Sequence, residues 1–95
     1  MANNLENSNK EEAPGQLKQF TILVNSREKE IVGKEISFVQ VVELAFGNFE
    51  NSTDVVYTVT FSKGPDEKKE GFLVYNQLVN LKEGMNFNVR RANKS

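Results

Sequence analysis

Ser37-Phe38-Val39-Gln40-Val41-Val42-Glu43-Leu44-Ala45-Phe46-Gly47 decides the fold, because it carries the clearest local signal in the chain. Ser37 stands three residues before Gln40. At that spacing the serine hydroxyl can accept from the amide of Gln40, and the glutamine side chain can reach back to the amide of Ser37. Phe38, Val41, Val42 and Ala45 follow at i, i+3, i+4 and i+7, which gives one apolar stripe. Gly47 then stops the turn. The predicted helix is about ten residues long, too short to persist alone in water. Its valines lower its intrinsic propensity further. It must dock on something, and the flanking sequence supplies a sheet.

Before the helix, Phe20, Ile22 and Val24 alternate with Thr21, Leu23 and Asn25, the period of a half-buried strand. Asn25-Ser26-Arg27 is turn chemistry, and a second short strand over residues 29–32 ends at Gly33. Two short strands across a tight polar turn predict a hairpin. Residues 1–18 are rich in Asn, Glu, Lys and Ser, with Leu5 and Leu17 almost alone as large apolar side chains. Such a stretch cannot bury enough surface to offset an ordering cost of ~1–2 kcal/mol per residue. It is expected to be a disordered arm closed by Pro14-Gly15, with the folded domain over residues 19–95.

After the helix comes a polar loop over residues 48–54, then Val55-Val56-Tyr57-Thr58-Val59-Thr60-Phe61, β-branched or aromatic throughout. Val55, Tyr57, Val59 and Phe61 share one face. Residues 63–70 form an exposed turn, Gly71-Phe72-Leu73-Val74 a fourth strand, and Leu78, Val79 and Leu81 fall in an irregular connector. Gly84 is predicted at positive φ. Met85, Phe87 and Val89 alternate with Asn86, Asn88 and Arg90 in a last strand. The order is hairpin, helix and three strands. It predicts an α+β fold of the β-grasp type, a mixed four- to five-stranded sheet gripping one helix. The first and last strands would pair in parallel at the centre, and the helix supplies the crossover that parallel pairing needs. A small open β-barrel plugged by the helix is the alternative. The expected core is Phe20, Ile22, Val24, Ile31, Ile36, Phe38, Val41, Val42, Tyr57, Val59, Phe72, Leu73, Phe87 and Val89.

Composition narrows the function. The chain of 95 residues allows one domain, and its net charge of −1 with scattered basic residues argues against a nucleic-acid partner. Neither histidine nor cysteine is present. The commonest acid–base group, the usual nucleophile–base pairs and most transition-metal sites are thereby removed. Asp66, Glu67, Glu70 and Glu83 lack the spacing of a calcium loop, and Gly64, Gly71 and Gly84 are not followed by the Lys-Ser/Thr of a phosphate loop. No catalytic residue, cofactor or metal is expected, so the chain reads as a non-enzyme. No apolar run reaches the ~18 residues of a membrane span, and Met1-Ala2-Asn3-Asn4-Leu5-Glu6 is not a secretory start. A cytoplasmic location without membrane contact is the expectation.

Several blocks resemble a known family. Ile22-Leu23-Val24-Asn25-Ser26-Arg27, Gly33-Lys34-Glu35-Ile36-Ser37, Val42-Glu43-Leu44-Ala45, Gly71-Phe72-Leu73 and Leu81-Lys82-Glu83-Gly84-Met85 with Phe87 and Val89 are, as a set, similar to the prokaryotic multiubiquitin-type ubiquitin-like domain. The likeness runs over about residues 19–95. It implies a ubiquitin-like protein modifier of a bacterial ubiquitination-like system, with antiphage defence as the implied setting. The implied partners are homologues of ubiquitin-activating and ubiquitin-conjugating enzymes and a deubiquitinase-like peptidase. Attachment or binding would use Arg90, Arg91, Ala92, Asn93, Lys94 and Ser95, a stretch without the diglycine of ubiquitin. Lys69 and Lys82 are candidate acceptor lysines. The outer face of the sheet, with Leu23, Thr58, Asn86 and Asn88, is the candidate partner surface. It reads as largely polar, so partners that grip ubiquitin's apolar patch are not expected. The alternative is a non-covalent scaffold that self-assembles through sheet edges or through the arm, or that binds a partner protein.

Overall fold

The computed structural model describes residues 18–94. Most of the expected arm, residues 1–17, and Ser95 lie outside the described residues. β1 (Gln19–Val24) and β2 (Arg27–Val32) form the predicted hairpin. Asn25 and Ser26 sit at φ 51° and 70°, the doubly positive pair that matches the twist of a two-residue hairpin.

Asn25 does more than turn the chain. Its side-chain oxygen accepts from the Val89 amide at 2.8 Å and its side-chain nitrogen donates to the Val89 carbonyl at 3.1 Å. Its own amide donates to the carbonyl of Phe87. The carboxamide thus imitates one more peptide unit of β1 and lengthens the seam with β7 (Asn86–Asn93), with which β1 pairs in parallel.

β3 (Glu35–Ser37) leads into α1 (Phe38–Phe46). The capping box forms as predicted, with Gln40 N–H to Ser37 Oγ at 3.1 Å and Ser37 N–H to Gln40 Oε1 at 2.9 Å. Gly47, at φ 87°, ends the helix by donating to the Glu43 carbonyl at 2.7 Å. Phe38, Val41 and Val42 are buried and Ala45 is half-buried, so the stripe faces the sheet.

β4 (Val55–Ser62) pairs antiparallel with β7 on one side and with β5 (Gly71–Leu73) on the other. The five-stranded sheet runs β2-β1-β7-β4-β5, with β1 and β7 parallel near its centre, and the helix crosses it. This is the β-grasp arrangement, and the plugged barrel is set aside. The supposed connector contains β6 (Leu78–Asn80), which pairs with β3 in a separate two-stranded sheet. Three-residue strands are too short to show an alternation. Gly84 takes the predicted positive φ.

The core holds most of the expected residues and corrects one. Phe72 is 65% exposed. Register explains it. Leu73 stands opposite buried Val59, so its predecessor Phe72 stands opposite Thr60 on the other face. Neighbours in a strand cannot both point inward. Phe61, Val79, Leu81 and Met85 are buried in addition, while Phe20, Ile31 and Tyr57 pack at the margin. The last strand also runs beyond the predicted Arg90, to Asn93.

Candidate functional site

Strand register places the candidate surface residues. Residues opposite one another in a sheet share a face. Leu23 is opposite Asn86, Thr60 opposite Asn88, Thr58 opposite Arg90, and Val56 opposite Ala92. Leu23, Thr58, Asn86 and Asn88 therefore gather on the outer face, where Leu23 and Asn86 are half-buried and Thr58 and Asn88 exposed. Toward β2 this face ends in Glu28 and Glu30, opposite Leu23 and Thr21. Toward β5 it ends in exposed Phe72, with exposed Val56 nearby on β4. That end is less polar than the sequence reading had it, because Phe72 belongs to this face and not to the core.

The expected tail is mostly strand. Arg90, Arg91, Ala92 and Asn93 lie opposite Thr58, Tyr57, Val56 and Val55, and the Lys94 amide donates to the Asp54 carbonyl at 2.7 Å. All five remain exposed. Arg91 turns to the helix side, where its guanidinium reaches the Glu50 carboxylate at 2.7 Å and the Asn93 side-chain oxygen at 3.3 Å. The hydrogen bond to Glu50, helped by Tyr57, raises the pKa of Arg91 above its ordinary value. Nothing in Arg-Arg-Ala-Asn announces a strand. The signal was in the partner: a β4 that starts at Val55 needs residues beyond Arg90 to pair with.

The sequence also missed an aromatic corner. Phe49 and Tyr75, both in connecting segments, meet two residues of regular structure. Phe49 lies 6.1 Å from Phe38 and 5.4 Å from Tyr57, and stacks on Tyr75 at 6.0 Å. The Tyr57 hydroxyl accepts from the Glu50 amide at 3.1 Å, which pins the 48–54 loop over the end of α1. The candidate acceptors Lys69 and Lys82 are both exposed, Lys82 within 3.7 Å of Asp66. Among the described residues no group of three acidic side chains is placed to hold a metal ion, and no helix is long and apolar enough to cross a membrane.

A mixed sheet with a parallel centre, one gripped helix and the last strand beside the first defines a ubiquitin-like β-grasp protein. The multiubiquitin family model matches residues 20–93, and the chain belongs to the multiubiquitin family. Searches of the curated proteins and of the solved structures each returned no match.

Proposed function

We propose that this chain is a protein modifier of a bacterial ubiquitination-like system, serving antiphage defence in the cytoplasm and attached or bound through its C-terminal end. It would be handled by homologues of ubiquitin-activating and ubiquitin-conjugating enzymes and released by a deubiquitinase-like peptidase. Ubiquitin-like domains are generally modifiers or binders and not catalysts. Family membership supports the reading, and the observation that carries it is the exposure of the last described residues. β7 ends opposite Val55, and Arg90, Arg91, Ala92, Asn93 and Lys94 are all exposed, where an enzyme can reach them. The scaffold alternative is weaker at one edge, since β2 carries Arg27-Glu28-Lys29-Glu30, the charged guard that discourages strand addition.

The test is a denaturing pull-down of N-terminally tagged protein from the native host, followed by intact mass and peptide mapping. The expected result is a larger species in which the C-terminus of this chain is joined to a lysine or hydroxyl side chain. Recovery of the free chain alone, with the host enzymes expressed and isopeptidase inactive, overturns the reading.

A further inference from the structure

Phe72, 65% exposed, and Val32, 63% exposed, are the two most exposed large apolar side chains among the described residues. They sit on the two edge strands of the sheet, β5 and β2. Both lie on the outer face, since Phe72 stands opposite Thr60 and Val32 opposite Gln19, in line with Thr21 and Leu23. Their backbones are also alike. The Gly33 amide donates to the Lys18 carbonyl at 2.9 Å. Hydrogen-bonded pairs alternate along an antiparallel ladder, so Ile31 turns its backbone groups to β1 and Val32 turns its N–H and C=O outward. The Lys94 amide donates to the Asp54 carbonyl. The same alternation then directs Thr60 at β7, Val59 and Phe61 at β5, and the N–H and C=O of Phe72 away from β4. The next outward residue is closed. The Val74 N–H donates to the Gln77 side-chain oxygen at 3.1 Å, and its carbonyl accepts the Gln77 amide at 3.0 Å.

We infer that the two edges take each other: β5 of one copy pairs antiparallel with the end of β2 of a second copy, head to tail. The register in which Phe72 and Val32 exchange backbone hydrogen bonds is complementary at each position. Phe72 lies against Val32 on the outer face, an aromatic–β-branched pair. Leu73 falls opposite Ile31 on the inner face. Gly71 falls opposite Gly33, where the strands approach most closely and neither brings a side chain. Just beyond, Glu70 meets Lys34, and neither is in an ion pair among the described residues. The parallel register with the same central pair would set Glu70 against Glu30. Pairing two like edges about a two-fold axis covers only one of the two exposed side chains, whereas the head-to-tail contact covers both. The charged run over residues 27–30 lies beyond the paired end of β2, so the guard over the rest of that strand stays in place. One hydrogen-bonded pair makes a weak contact, with a Kd on the order of 1 mM. It is also open-ended, because each contact leaves one free β2 and one free β5. The pairing does not use the chain end, so its failure would leave the modifier reading untouched.

The test is sedimentation equilibrium of the full 95-residue chain from about 0.1 to 3 mM, with ¹⁵N spectra over the same range. The expected result is an average mass that rises without a plateau at the dimer, while the Val32 and Phe72 amides shift together. Val32→Asp and Phe72→Asp should each weaken association about tenfold. Both positions are exposed, so the two spectra should otherwise stay native. An equimolar mixture of the two variants should recover a heterodimer within about threefold of the wild-type affinity, because each retains the edge that the other has lost. Glu70→Lys should weaken association about threefold, and adding Lys34→Glu in the same chain should restore it. The mass of a single chain at every concentration overturns the pairing. Association that survives either single aspartate substitution makes the contact two-fold through the other edge and overturns the head-to-tail order. Folded variants that stay apart in the mixture overturn it as well.

Discussion

The seam between β1 and β7 and the corner between β4 and β5 are built differently. At the seam, Ile22, Val24 and Phe87 are fully or almost fully buried, and the Asn25 side chain adds two hydrogen bonds after β1 has ended. At the corner, β5 covers three positions of β4 and stops, leaving Phe72, Val74 and Tyr75 at the surface. One sheet therefore contains a closed half and an open half. Apolar side chains at the first hold the fold, and apolar side chains at the second are available for contact.

The sharpest way to break this contrast is to truncate one phenylalanine in each half. Phe87→Ala should cost about 3–5 kcal/mol in urea unfolding, through a cavity at the sheet centre. Phe72→Ala should change the unfolding free energy by less than about 0.5 kcal/mol. A similar loss from both would mean the corner is as structural as the seam. Asn25→Ala comes next. It removes two side-chain hydrogen bonds worth about 1 kcal/mol each and leaves a residue less tolerant of φ 51° in the turn. A loss of about 2–3 kcal/mol is expected, and amide exchange should quicken at Val89, whose N–H loses its acceptor.

A smaller effect is expected in the turn that joins β4 to β5. A methyl group on Gly64 would lie 2.6 Å from the Lys68 carbonyl oxygen and 3.3 Å from the Met85 side chain. Gly64→Ala should therefore cost about 1–3 kcal/mol by overpacking, with the new crowding visible as shifts at Lys68 and Met85. The smallest effect concerns charge. The Asn80 amide donates to the Glu67 carboxylate at 3.0 Å and holds its pKa below the ordinary carboxylate value. A pKa lower in the folded than in the unfolded state adds stability above the unfolded value, and that stability is lost as the pH falls through the folded one. Carbon-detected titration should find Glu67 depressed, and Asn80→Ala should move it back up.

Where a residue's own neighbours determine its state, the sequence was legible. Alternation from Phe20 to Val24, the Ser37–Gln40 box, the stripe along α1 and the turn at Gly84 were each read from the chain and recur in the structure. Where a distant partner decides, it was not. Phe72 faces outward because of where Leu73 meets Val59, and residues 90–93 are strand because β4 begins at Val55. β6 exists because β3 lies beside it. The candidate surface follows the same division. The outer-face residues came from alternation alone, whereas the aromatic corner, with Phe49 and Tyr75 in connecting segments, depends on tertiary packing that carries no periodic mark.

The pairing of β1 with β7 also governs the order of folding. Leu23 waits for Asn86, a separation of 63 residues (86 − 23), so the central seam cannot close until residue 86 has left the ribosome. Contacts so distant in sequence slow folding and postpone cooperativity. A copy interrupted before residue 86 would lack the strand that joins the β1–β2 hairpin to β4. Such a fragment has no sheet centre and remains a substrate for proteases. Placing β7, the last-made of these strands, in the middle of the sheet therefore makes a folded sheet the signature of a chain translated through β7.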